Sequence, residues 1–219
     1  MEEIYFTEEE VSKTIEFANL MKKKHPYFVD ENNKDTRNEN EIFISVVRGK
    51  LAEIAIHKYL RQKHRNSNYE ISELDFENYN KGICDEFDLK FNNLTISIKS
   101  SKPFSSCLLI ETEKYQTNEQ GEVIAIDGHE DNIPDFYAFV KVDLDLKEIN
   151  KTYASICGAI SHKSFWKKKK VIPRGTFINR NNMYNYLMKN KPLDQLEKDK
   201  GVPLLANNYG IHLDMLKPF

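Results

Sequence analysis

The chain is short of the residues on which several common chemistries depend. It has only three cysteines in 219 residues, Cys84, Cys107 and Cys157, widely spaced and without a C-x-x-C pair. That argues against a disulfide framework and against a zinc ribbon. Cys107 and Cys157 sit in apolar, strand-like surroundings and read as small buried residues; Cys84 has no matching histidine and acid to make it a nucleophile. The six histidines, His25, His57, His64, His129, His162 and His212, include no H-x-x-x-H or H-E-x-x-H pair, and a His-Asn-His type nuclease has no support either. No apolar run approaches the length needed to cross a bilayer, and the acidic opening MEEIYFTEEE is unlike a secretion signal; a cytoplasmic protein with no membrane partner is the expectation. Internal repeats and low-complexity tails are absent.

What is present describes a folded domain. Hydrophobic residues make up 40% of the chain and charged residues 30%, a balance of globular rather than disordered sequences. The length suits one domain over 1–219, with a core at about 41–165, an N-terminal helix at 7–24 and a C-terminal helical and strand extension at 166–219. The net charge of −2 does not exclude a nucleic-acid partner, because phosphate contacts depend on where cations cluster. Lys22 to Lys24, Lys167 to Lys170, Arg174, Arg180, Lys189 and Lys191 form such clusters. The plain reading of each is solvated surface, and Lys22 to Lys24 also suit a helix C-terminus.

Local signals place the elements. Thr7-Glu8-Glu9-Glu10 reads as a capping box opening a helix that runs to about Lys24, ahead of Pro26. Residues 30–40 are polar and turn-rich, and Gln116 to Pro134 is a second polar stretch read as a long loop. Glu41 to Gln62 reads as a helix with an apolar stripe of Val47, Leu51, Ile54 and Ala55. Glu53 lies beside that stripe, one turn after Gly49 and one turn before His57. A glycine within a helix costs about 1 kcal/mol relative to alanine, which suggests a close approach near Gly49. Further strands are expected at 108–110, at 135–142 and at 153–160, the last entering a helix at 161–166. A helix is expected at 181–189 and a final strand at 209–213.

The most informative segment is Asp85 to Lys102, DEFDLKFNNLTISIKSSK. Leu89 and Phe91 alternate with Asp88 and Lys90; beyond Asn92-Asn93, Leu94, Ile96 and Ile98 alternate with Thr95, Ser97 and Lys99. With Asn92-Asn93 as a two-residue hairpin loop, Phe91 pairs with Leu94, Leu89 with Ile96 and Asp88 with Ser97. Asp88, Ser97 and Lys99 then share one face, while Leu89, Ile96 and Ile98 enter the core. An acid and a lysine so placed suit metal-assisted phosphodiester chemistry. An amphipathic hairpin whose polar face meets solvent is the plainer alternative.

Helix, Gly49-x-x-x-Glu53, spacer, Phe87-Asp88, hairpin and Ser97-Ile98-Lys99, in that order, resemble the PD-(D/E)XK nuclease superfamily. The resemblance covers roughly residues 41 to 165 and implies an α/β, restriction-endonuclease-like core: a central mixed β-sheet flanked by helices. It also implies a Mg²⁺-dependent DNA endonuclease, with Mn²⁺ as a substitute, acting on double-stranded DNA as a homodimer in the manner of a sequence-specific type II restriction enzyme. Carried over residue by residue, Glu53 and Asp88 become metal-site acids, Ile98 a carbonyl ligand, Lys99 the residue that positions or activates water, and Ser97 a non-acidic member of the site. Lys50 and Lys102 flank it as expected DNA contacts.

Ser97 departs from the pattern, since the family places Asp or Glu there and a hydroxyl is a poorer Mg²⁺ ligand than a carboxylate. Three accounts follow from the sequence. Glu111 or Glu113 supplies the missing carboxylate, or Glu53 and Asp88 suffice with the Ile98 carbonyl, water and a DNA phosphate, or the site is silent and the protein only binds nucleic acid. Asp85 and Glu86 are additional acids less well placed by alternation.

Overall fold

The computed structural model describes residues 1–24, 39–66, 68–76, 87–120, 122–126, 133–196, 202–204 and 206–219. Over these the chain is mixed α/β, with a central mixed sheet flanked by helices. It forms two compact units, the first made of Met1–Pro103 and Val140–Ile156 and the second of Phe104–Phe139 and Cys157–Phe219. The segment 166–219 is thus part of the second unit.

The central sheet has the order β1 (Glu2–Tyr5), β8 (Tyr153–Ser161), β7 (Phe136–Asp143), β3 (Leu94–Ser101), β2 (Leu89–Phe91). β1 runs antiparallel to β8, from Glu2 opposite Ile156 to Tyr5 opposite Tyr153, and Ile4 is its one buried side chain. At the other edge, Ile71 bridges to Phe91 and Ser72 N–H donates to the Lys90 carbonyl at 2.9 Å.

Helix α1 (Glu8–Lys24) starts as the sequence reads. The Thr7 hydroxyl accepts the Glu10 N–H at 3.2 Å and the Thr7 N–H donates to Glu10 Oε2 at 2.8 Å, so two otherwise orphaned donors are satisfied reciprocally. Lys58 Nζ donates to the same Glu10 Oε2 and to the Tyr5 carbonyl, each at 2.9 Å, tying the helix that carries it to the start of α1 and the end of β1. Helix α2 (Glu39–Lys63) packs against both α1 and β3. For that reason burial extends beyond Val47, Leu51, Ile54 and Ala55 to Ala52, Ile56, Tyr59 and Leu60. At Gly49 a Cβ would meet nothing within 4 Å among the described residues, so helix packing does not account for the glycine.

In the second unit, β4 (Cys107–Glu111), β12 (Asn208–His212) and β9 (Lys170–Ile172) form an antiparallel sheet with β12 central. Alternation gives it two apolar faces. Leu108, Ile110 and Ile211 join Tyr137, Phe139, Ile160 and Phe165; Cys107 and Ile172 join Met183 and Leu187 of α4 (Arg180–Leu187). Helix α3 (His162–Lys168) is capped by the Ser161 hydroxyl, which accepts the Ser164 N–H at 3.3 Å. The polar stretch after residue 115 is not all loop: β5 (Tyr115–Thr117) pairs with β6 (Val123–Ile126), and Asn118 closes on Glu122 through both side-chain and backbone bonds. Residues 127–132 of that stretch, and 30–38 of the earlier one, lie outside the described residues. Helix 181–189 and strand 209–213 are found at Arg180–Leu187 and Asn208–His212. Strands β1 and β9 and the short pair β10 (Phe177–Ile178) with β11 (Val202–Pro203) were not read from the sequence.

Thr7→Ala removes a reciprocal cap and is expected to lower unfolding free energy by about 1 kcal/mol, read as a reduced urea midpoint with an unchanged slope.

Candidate active site

The hairpin of β2 and β3 takes the register expected of a two-residue turn. Leu89 faces Ile96, Lys90 faces Thr95 and Phe91 faces Leu94. Asn92 adopts φ 51°, a left-handed conformation that asparagine tolerates. Its side-chain oxygen also accepts the Glu70 N–H at 2.9 Å while its own N–H donates to the Glu70 carbonyl at 2.7 Å, so the turn is held from outside. Leu89, Ile96 and Ile98 are buried, which leaves Ser97 and Lys99 on the opposite face of β3.

Asp88 precedes β2 and turns its carboxylate onto β3. Oδ2 accepts the Ile98 N–H at 2.5 Å and the Ser97 hydroxyl at 3.2 Å. Asp88 and Ser97 are therefore brought into direct contact, as the sequence register implies, and Oδ1 has no partner among the described residues. Lys99, half-buried one position beyond Ile98, makes no ion pair or hydrogen bond among the described residues. An ammonium so placed is available to a ligand.

Glu53 and Lys50 form a different arrangement from the one expected. Lys50 is only 6% exposed. Its Nζ donates to Glu53 Oε2 at 2.6 Å and to the Asp75 carbonyl at 2.7 Å, and lies 5.0 Å and 5.4 Å from the ring centres of Phe17 and Phe76. Those rings meet edge to face at 5.9 Å. The ammonium is thus the internal counter-ion of Glu53, enclosed by a carboxylate, a carbonyl and two π faces, and is not presented to solvent. The i, i+3 spacing of Lys50 and Glu53 was the available signal for this pair. Lys102, after the end of β3, is exposed.

Two further groups on α2 are unusual. Arg48 Nε and His57 Nε2 are buried with no hydrogen-bond partner among the described residues. Burial lowers the Arg48 pKa, and the Asp143 charge opposes that effect. Burial likewise pushes the His57 imidazole below its ordinary value, with Arg61 adding to the shift and Glu73 opposing it. His57 is buried.

The oxygen donors around β3 have the hard chemistry that Mg²⁺ takes, with Asp88 Oδ1 uncommitted. No group of three or more His, Cys, Asp and Glu side chains is gathered in a metal-holding arrangement among the described residues. Cys84, Asp85 and Glu86 lie outside those residues. Glu111 ends β4 and Glu113 lies in the turn that follows, both in the second unit. Among the described residues no helix is long and apolar enough to cross a membrane. No protein-family model, curated protein or solved structure matches this chain.

Removing one member of the buried pair leaves the other charge uncompensated, so Lys50→Met is expected to destabilise the protein by about 3 kcal/mol. The double variant Lys50→Met with Glu53→Leu should recover much of that loss in chemical denaturation. His57 generates a second expectation. Below about pH 6.5 the unfolded chain binds a proton that the folded imidazole refuses, so stability falls as pH drops from there and levels once the folded group also protonates. Melting temperature should decline from about pH 7 to 5.5, and His57→Leu should flatten that decline.

Proposed function

We propose that the chain is a Mg²⁺-dependent DNA endonuclease with a restriction-endonuclease-like core, cutting double-stranded DNA as a homodimer. The observation that carries this reading is the juxtaposition on one hairpin of Asp88, joined to Ser97 and the Ile98 N–H, with Lys99, which has no ionic partner among the described residues. In a water-excluding site a bound divalent ion supplies Lewis acidity and a more acidic water.

The roles of the chain's own groups follow from their chemistry. Asp88 offers Oδ1 as a hard oxygen ligand, while its Oδ2 is fixed by β3. The Ile98 carbonyl and Glu53 are the remaining proposed ligands. Lys99 orients the attacking water and stabilises the charge that develops on the scissile phosphate. Ser97 holds the Asp88 carboxylate and does not itself replace the missing acid. Among the described residues nothing would contact a Cβ at Gly49, one turn before Glu53, and a substrate backbone is proposed to run beside the helix there. Lys102 is the proposed phosphate contact at the margin.

A second reading is a nucleic-acid-binding protein of the same fold that does not cleave. It is favoured by the engagement of Glu53 with Lys50 and of Asp88 Oδ2 with β3, and by serine at position 97.

The two readings separate in one assay with duplex DNA, in Mg²⁺ or in EDTA. Lys99→Ala should lower Mg²⁺-dependent cleavage by about 10²- to 10³-fold while leaving binding in EDTA in place. Intact DNA under all conditions, with salt-sensitive binding, would instead support the silent binder. Gly49→Ala adds a complementary expectation: stability rises by roughly 0.5 to 1 kcal/mol, while cleavage falls because the added methyl fills the space assigned to substrate. Unchanged cleavage in this variant would remove Gly49 from the site.

A further inference from the structure

The second unit carries a cluster that the proposed active site does not use. Trp166, the chain's single tryptophan, lies with its ring centre 5.0 Å from each of Tyr115 and Tyr209 and stacks on His162 at 5.4 Å with 15° between planes. Lys169 Nζ sits 4.5 Å from the Trp166 ring centre and 4.8 Å from that of Tyr209. Trp166, Tyr115 and Tyr209 pack on the buried core yet each stays partly exposed. Tyr209, in the central strand β12, is the register partner of Val171 on edge strand β9, and Val171 is 52% exposed. The aromatic face therefore continues outward onto an open apolar edge.

Its surroundings are cationic. Lys163, Lys167 and Lys168 are exposed and make no ion pair among the described residues, and Lys169 has only its two ring contacts. Lys170 differs, because it bonds to the Tyr186 carbonyl and to Asn190. Lys163, Lys167 and Lys168 share helix α3 with Trp166, so ammonium groups accompany partly exposed aromatic rings, a combination complementary to a polyanion that also offers flat apolar faces.

We propose that this face of the second unit binds single-stranded nucleic acid. Phosphates lie along Lys163, Lys167 and Lys168, an unpaired base stacks at the Tyr209–Val171 edge, and Lys169 swings from the rings to a phosphate as the base arrives. Bases within a duplex already cover one another's faces, so only an unpaired base reaches such an edge. This assignment goes beyond the active-site reading and draws on it only for the choice of polyanion.

Trp166 reports on the face directly. In EDTA, titration with a short oligodeoxythymidylate should quench its fluorescence saturably, with affinity falling as salt rises. The Lys167→Ala, Lys168→Ala double variant alters exposed side chains only. It should bind more weakly and reduce the slope of log affinity against log salt by about 1.4, the share of two phosphate contacts on a single strand. Tyr209→Phe should retain binding, whereas Tyr209→Leu, checked for folding by its melting curve, should lose about tenfold. Absence of Trp166 quenching by the oligomer, or a salt slope unchanged in the double variant, would overturn the assignment. Each result is independent of cleavage: a protein that cuts duplex DNA through Lys99 but fails to bind the oligomer keeps the active-site reading and loses this one.

Discussion

A two-residue turn leaves a strand pair no freedom of register, and the arrangement around Asp88 depends on that constraint. Asn92 accepts a positive φ and is clasped by the backbone of Glu70. From that point outward Phe91 must meet Leu94 and Leu89 must meet Ile96. A slip of one residue would turn Ile96 and Ile98 to the polar face and carry Ser97 and Lys99 into the core, which the buried packing of the hairpin forbids. The Asp88 carboxylate adds a further lock, because it crosses to the Ile98 N–H. Charge and turn chemistry thus specify the same register.

The helix behind the hairpin solves a different problem. Packed between α1 and β3, α2 has little circumference left for water, and both charges of the Lys50–Glu53 pair are held inside. Taking an ammonium out of water is costly unless its donors are satisfied. Here a carboxylate, the Asp75 carbonyl and the faces of Phe17 and Phe76 share that task. Breaking the pair would therefore cost more than forming it contributes. Its role is better described as fixing where Glu53 points than as adding net stability.

Much of this was legible in the residues. The capping box at Thr7, the hairpin, the long helix and the strands near 108, 136 and 153 all carry strong local patterns, and each element stands where its pattern puts it. The burial of Lys50 was not legible, because a lysine beside an apolar stripe reads as a solvated flank unless the second packing partner of the helix is known. At Gly49 the signal is not explained by packing, since no described residue would contact a Cβ there. The hairpin formed by β5 and β6 hid within a polar composition, its turn closed by Asn118 and Glu122 rather than by an apolar core. β9 was masked by the lysine run that precedes it, since only Val171 and Ile172 carry strand character. Whether Asp88 and Glu53 work together depends on a distance in space that no periodicity encodes.

The two edges of the central sheet also bear on how the chain behaves in a crowded solution. An open strand edge offers unpaired N–H and C=O groups to any extended segment nearby, and is the usual starting point of aggregation. Here β1 is only four residues long and brings Glu2 and Glu3 to the border, so an approaching strand meets negative charge. The opposite edge, β2, is already bonded through Phe91 and Lys90 to Ile71 and Ser72. One border is thus already bonded and the other is short and acidic. Self-association by sheet extension is therefore discouraged at both ends, and a partner copy would have to meet this sheet through side chains rather than through main-chain hydrogen bonds.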